Sequence, residues 1–216
     1  MSDTEIYEPY VRKSREQIYK SAYVTIALII INVIVFLVTD FFAGGYKEQL
    51  ILDPDALLYG ANAQWYRLIT STFMHADINH LLNNMLILGA LGAIVENYMG
   101  HGLYLVMYIL SGICGNILTL AYIFFSGDWF RSLGASGCTL GLSGYMLVWI
   151  IVNRKLLVEG NMKRNIVVFA LITLYACFFQ RGANTIAHLG GCLAGAAFGI
   201  ANIIIFHNSK DMEGIV

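Results

Sequence analysis

The sequence predicts an all-α membrane protein with six transmembrane helices and a long, structured outer loop between the first and second. Three observations carry this expectation. First, 58% of the 216 residues are hydrophobic and only 12% charged, where a soluble domain carries about a quarter charged residues. Second, the apolar residues gather into runs near the roughly 20 residues that a bilayer core requires. Third, Lys and Arg fall unequally in the connections between the runs, which orients the chain in a membrane.

In chain order, residues 1–22 form a polar segment, too charged for a secretory signal peptide, and are expected as a cytoplasmic tail. The first run, 23–42, then stays in the membrane as an anchor. Residues 43–80 make a connection long enough to have structure or function of its own. Its apolar pieces ALLYG and RLITSTF, with Trp65, Tyr66 and Phe73, suit short helices at the membrane interface. Further spans are expected at 81–99, 103–125, 135–152, 165–180 and 185–206. The membrane domain is thus 23–206, and 207–216 forms a second cytoplasmic tail. The second, fourth and sixth spans carry Asn83, Asn84, Ser136, Thr139, Ser143, His188 and many glycines. Polar side chains are costly in hydrocarbon and face a bundle interior, so these three spans are expected as the inner wall, shielded by the other three. Cys114, Cys138, Cys177 and Cys192 all lie in apolar runs without C-x-x-C spacing. They read as small buried hydrophobes rather than disulfides or metal ligands.

Arg12, Lys13, Arg15, Lys20, Arg154, Lys155, Lys163, Arg164 and Lys210 fall on one side, against Lys47, Arg67, Arg131 and Arg181 on the other. The positive-inside rule therefore puts both termini in the cytoplasm. The net charge of -1 gives no reason to expect a nucleic-acid partner; the lipid bilayer is the expected surrounding. With no appended domain in this short sequence, a bacterial inner membrane is the expected location.

In this topology the second, fourth and sixth spans all start at the outer face, which brings His80, Asn84, Ser136 and His188 to one depth. Ser136 lies in the first turn of its span, where backbone N–H groups have no intrahelical partner and can stabilise a developing oxyanion. Gly134, Ala135 and Gly137 leave room for close approach of other backbones. Serine in membrane helices most often bonds back to a carbonyl one turn earlier, and that reading suits Ser143. His188 is an ionisable group within a span, a functional hypothesis by default, and its ordinary pKa of about 6.5 suits a general base. Gly191, Gly195 and Gly199 form one stripe and Gly137 and Gly141 another, and such faces let membrane helices pack closely. His80 and Asn84, four residues apart, share a helix face and can donate to an oxyanion. His75 can orient this cluster or cap it. No carboxylate is placed to orient His188; Glu96 lies more than three turns below His80. A Ser-His dyad is the simpler reading.

HADINHLLNNM, GASG followed by GLSG, and AHLGG, in that order, resemble the rhomboid intramembrane serine proteases. WYRLITSTFMH resembles that family's Trp-Arg loop motif, with Arg67 at the Arg position, and GAIVE (Gly92 to Glu96) its G-x-x-x-E. The resemblance covers about residues 20–206. It implies Ser136 as nucleophile, His188 as general base, and His80 and Asn84 as oxyanion donors. It also implies cleavage of transmembrane protein substrates near the outer ends of their helices, without a cofactor. NIVVFALITLYACFF would be the span that gates lateral entry. Leu140 stands where the family often has an aromatic residue against the catalytic His. Two rivals are a rhomboid-like protein that binds membrane clients without cutting them, and a small transporter. The first would lack the Ser or His. The second is disfavoured by the lack of inverted repeats and by prolines confined to Pro9 and Pro54. Neither an H-E-x-x-H motif nor a pair of intramembrane aspartates is present. A metal site of His75, His80, His188 and Cys138 has no recognisable ligand spacing.

Overall fold

Ser14 opens the first helix, α1 (Arg15–Lys20), by accepting the Gln17 amide while the Gln17 side chain accepts the Ser14 amide, a reciprocal cap. The structure, a computed structural model, describes residues 13–42, 45–60, 62–154, 167, 168, 171, 173, 183–208 and 212. After α1 come α2 (Tyr23–Phe42), the short α3 (Lys47–Leu50), α4 (Pro54–Leu58) and α5 (Arg67–Thr70), then α6 (Ile78–Met99), α7 (His101–Ser126), α8 (Ser136–Val152) and α9 (Thr185–Ile205). Helices α2, α6, α7 and α9 are long and apolar enough to cross a membrane, while α8 is apolar but only 17 residues long. The described residues contain no strand, only an isolated bridge between Leu52 and Ser132. Most of the expected fifth span, most of both expected tails and Cys177 lie outside the described residues.

Glycine decides how the long helices meet. A Cβ at Gly191 would overlap the Gly137 carbonyl, one at Gly195 the Gly141 carbonyl, and one at Gly144 the Cys192 carbonyl. The α8–α9 seam is therefore backbone against backbone, as small-residue stripes allow. Contrary to the expectation of a mere shield, α7 packs closely against both. Its buried face includes Tyr104, Tyr108, Ser111, Gly112, Gly115 and Thr119. The reason is again local. A Cβ at Gly115 would stand 2.6 Å from the Ala187 carbonyl oxygen of α9, and one at Gly112 would overlap the Cys138 sulfur of α8. Cys114, on the opposite side of α7, is exposed, so only some of the cysteines fill the core.

Away from these starts, the buried Glu96 carboxylate accepts the Val24 and Thr25 amides at 2.9 and 2.8 Å and contacts His101 Nδ1 at 2.6 Å. α2 has no side-chain cap of its own, so α6 supplies one. A charge with no partner would be prohibitive in this interior; here three donors and a helix N-terminus compensate it.

Candidate active site

Ser136 is delivered by an irregular segment, 127–135, pinned from several sides. Leu52 and Ser132 exchange backbone hydrogen bonds of 2.9 and 3.0 Å. Arg131 pairs with Glu48 at 2.8 Å and with Asp53 at 2.9 Å. The Gly134 amide donates to the Ser71 carbonyl at 2.9 Å. The partners all belong to the connection between α2 and α6, which is itself tied down by buried Arg67, whose guanidinium donates to Gln64 Oε1 and to the Glu48 and Ile51 carbonyls. Asn116 of α7 adds bonds to the Leu68 carbonyl and Ser71 Oγ.

Gly134 adopts φ 131, a conformation that only glycine takes without strain. A Cβ there would lie 2.7 Å from both Cε1 and Nε2 of His80 and 3.7 Å from Ser136 Oγ. Gly134, the His80 ring and the Ser136 hydroxyl are thus immediate neighbours. Ser136 is the first residue of α8, and no side chain caps that helix; its first hydrogen-bonded amide is that of Thr139, bonded to the Ala135 carbonyl. The leading N–H groups and the positive end of the helix dipole are directed toward the serine.

His80 opens α6. Asp77 caps that helix by accepting the His80 amide at 2.9 Å, so the nearby carboxylate is spent on the backbone. Asn84, one turn later and buried, donates to the His80 carbonyl at 3.0 Å, and its Oδ1 accepts from Thr139 Oγ1 at 3.4 Å. The Thr139 hydroxyl also reaches the Ser136 carbonyl at 3.2 Å. Asn84 therefore reaches the serine's turn through Thr139. His75 is wholly buried edge-on to His80, with ring centroids 5.1 Å apart. Burial, aided by the neighbouring His80, pushes its pKa from 6.5 down to about 3, so it is neutral at physiological pH.

His188 is buried in the first turn of α9. The preceding carbonyl, Ala187, would lie 3.6 Å from a Cβ at Gly137, which sets the histidine's turn against the serine's. No hydrogen bond joins Ser136 to the His188 ring among the described residues, nor does His188 Nδ1 find an acceptor there. Such bonds are often long in unliganded sites and tighten with substrate. The described residues include no group of three His, Cys, Asp or Glu side chains disposed to hold a metal ion.

One arrangement was not legible in the sequence. Asn184 caps α9 through its Oδ1, and its Nδ2 donates to Thr119 of α7 and to Ser132 of the serine's segment. An Asn just before an apolar helix is a capping signal, but its two remote partners leave no trace in spacing.

Residues 62–204 match the family model described as the Rhomboid domain. The chain is 31% identical over 153 residues to Rhomboid protease GluP of Bacillus subtilis, a match covering 71% of this chain and 27% of that protein. It is 29% identical over 198 residues to Rhomboid-like protease 3 of Toxoplasma gondii, covering 89% and 70% of the two chains. Against Rhomboid protease AarA of Providencia stuartii it is 26% identical over 230 residues, covering 94% and 80%. The chain thus spans little more than a quarter of GluP and most of the other two.

Proposed function

The chain belongs to the rhomboid family and is an integral membrane protein, and on that premise we propose that it is a serine endopeptidase of the rhomboid type. It hydrolyses peptide bonds in or near the transmembrane segments of membrane-protein substrates, using Ser136 as nucleophile and His188 as general base. The observation that carries this reading is the placement of Ser136 Oγ beside the His80 ring, at the uncapped start of a helix whose first turn abuts that of His188.

The chemistry is acyl transfer. As Ser136 Oγ attacks the scissile carbonyl, His188 takes its proton. The new oxyanion receives hydrogen bonds from the Ser136 N–H, the His80 ring and Asn84 Nδ2. Collapse of the intermediate expels the amine, which leaves with the proton held by His188. Water, deprotonated by His188, then attacks the ester, releasing the acid and returning the proton to Ser136. Gly134 keeps the His80 edge free to approach, and His75, neutral and packed on His80, supports that ring. Residues 23–206 form the membrane domain, the short helices between α2 and α6 lie on the outer side, and both ends are cytoplasmic, in a bacterial inner membrane.

The test is labelling of the detergent-solubilised protein with a fluorophosphonate, alongside cleavage of a purified single-span membrane protein. Wild type labels and cleaves, while Ser136→Ala and His188→Ala lose both by at least about a thousandfold. Full cleavage by Ser136→Ala sinks the mechanism. A folded wild type that neither labels nor cleaves points instead to a client-binding protein without protease activity.

A further inference from the structure

Serine hydrolases of the triad kind hold the histidine by a third side chain on Nδ1. Here His188 Nδ1 has no acceptor among the described residues, so the ring's position must come from the backbone that carries it. That backbone is packed at Ala187 against Gly115 and Gly137, and its hydrogen bonds run through one residue, Asn184. The His188 amide donates to the Asn184 carbonyl at 3.1 Å. Asn184 Oδ1 accepts the Ala187 amide at 3.1 Å, and Asn184 Nδ2 donates at 2.9 Å to each of Thr119 Oγ1 and Ser132 Oγ. Both amide hydrogens and the carbonyl oxygen are used. The acceptors are fixed in turn. Thr119 donates its own proton to the Gly115 carbonyl at 2.9 Å, and Ser132 is bridged to Leu52 on both sides of its peptide. Ser132 lies four residues before Ser136.

We propose that Asn184 is a positioning residue that registers His188 against Ser136, by clamping the start of α9 to α7 and to the segment that delivers the serine. It takes over through the backbone the orienting task that a third side chain performs elsewhere. The proposal rests on reading Ser136 and His188 as the dyad.

Asn184→Ser separates the clamp from the cap. Serine caps a helix as well as asparagine does but is too short to reach Thr119 and Ser132, and it adds no charge. Full-length protein in detergent is labelled with a fluorophosphonate, and the maximal inactivation rate and the half-saturating probe concentration are read separately. Asn184→Ser lowers the maximal rate about 10- to 100-fold, the cost of a displaced catalytic group, and leaves half-saturation unchanged. Adding Ser132→Ala to Asn184→Ser costs nothing further. Tyr145→Phe, which removes a hydroxyl bonded to Asn202 at 2.7 Å far from the site, lowers the melting midpoint but not the rate. A wild-type rate in Asn184→Ser overturns the clamp, as does a rate loss that Tyr145→Phe reproduces at an equal midpoint. Hydrogen exchange at the Ala187 and His188 amides judges the clamp independently of chemistry. It speeds at least about tenfold in Asn184→Ser if the clamp holds this turn, and an unchanged rate overturns it. Should wild type itself take no label, the protease reading falls and the exchange alone decides the clamp.

Discussion

Gly134 shows how much one missing side chain accomplishes. Its φ of 131 turns the segment into α8, and its bare Cα lets the His80 ring stand against the serine hydroxyl. Gly134→Ala has to bear backbone strain of roughly 1–3 kcal/mol and must also push His80 aside. The expected result is a protein that melts several degrees lower and whose fluorophosphonate labelling drops by about tenfold or more beyond what that loss of stability explains. Labelling at the wild-type rate removes the role given to His80. The positions of Ser136, His80, Asn84 and His188 near helix starts were readable in advance. Their hydrogen-bond partners were not: Asp77 is occupied by the His80 amide, and Asn84 approaches the serine's turn through Thr139. Capping is local chemistry that a sequence displays, whereas a bond between side chains 55 positions apart exists only after the helices have packed.

Helices meet here according to where they lack side chains. The spacing of Gly137, Gly141, Gly191 and Gly195 gave away the α8–α9 seam, because small residues four apart line one helix face. Gly112 and Gly115 of α7 carry the same information at a three-residue spacing, but the long apolar stretches of that helix masked its close packing against α8 and α9. Gly195→Ala places a methyl group into the Gly141 carbonyl, with nothing flexible to yield. A destabilisation of about 1–3 kcal/mol, typical of overpacking, is expected in denaturant unfolding. Gly102→Ala, also helical but with open space around its Cα, leaves the midpoint unchanged or slightly raised. Equal loss in both variants contradicts a close backbone seam. Glu96 belongs to this scale too: as the remote cap of α2 it couples the ends of two helices that the sequence separates by some seventy residues.

At the scale of the molecule, the hydropathy pattern outlined the long helices among the described residues to within a few residues at each end: 81–99 became Ile78–Met99, and 103–125 became His101–Ser126. Sidedness is a separate matter, because the coordinates of a bundle are the same in either orientation and only the Lys and Arg distribution distinguishes them. Single cysteines at Glu16 and at exposed Tyr59 test it. In intact cells an impermeant maleimide is expected to label Tyr59→Cys and to spare Glu16→Cys until the membrane is permeabilised; the reverse pattern inverts the proposed topology and would put the serine on the cytoplasmic side. The glycine seam also limits how such a protein can change. Where two side chains collide, a second mutation can trim the partner. At Gly195 the partner is the carbonyl of another glycine, which has nothing left to remove. A selection for revertants of Gly195→Ala should therefore return true reversions, or changes elsewhere that shift a whole helix, and almost never a substitution at Gly141. The register of the seam is locked by heredity as well as by contact.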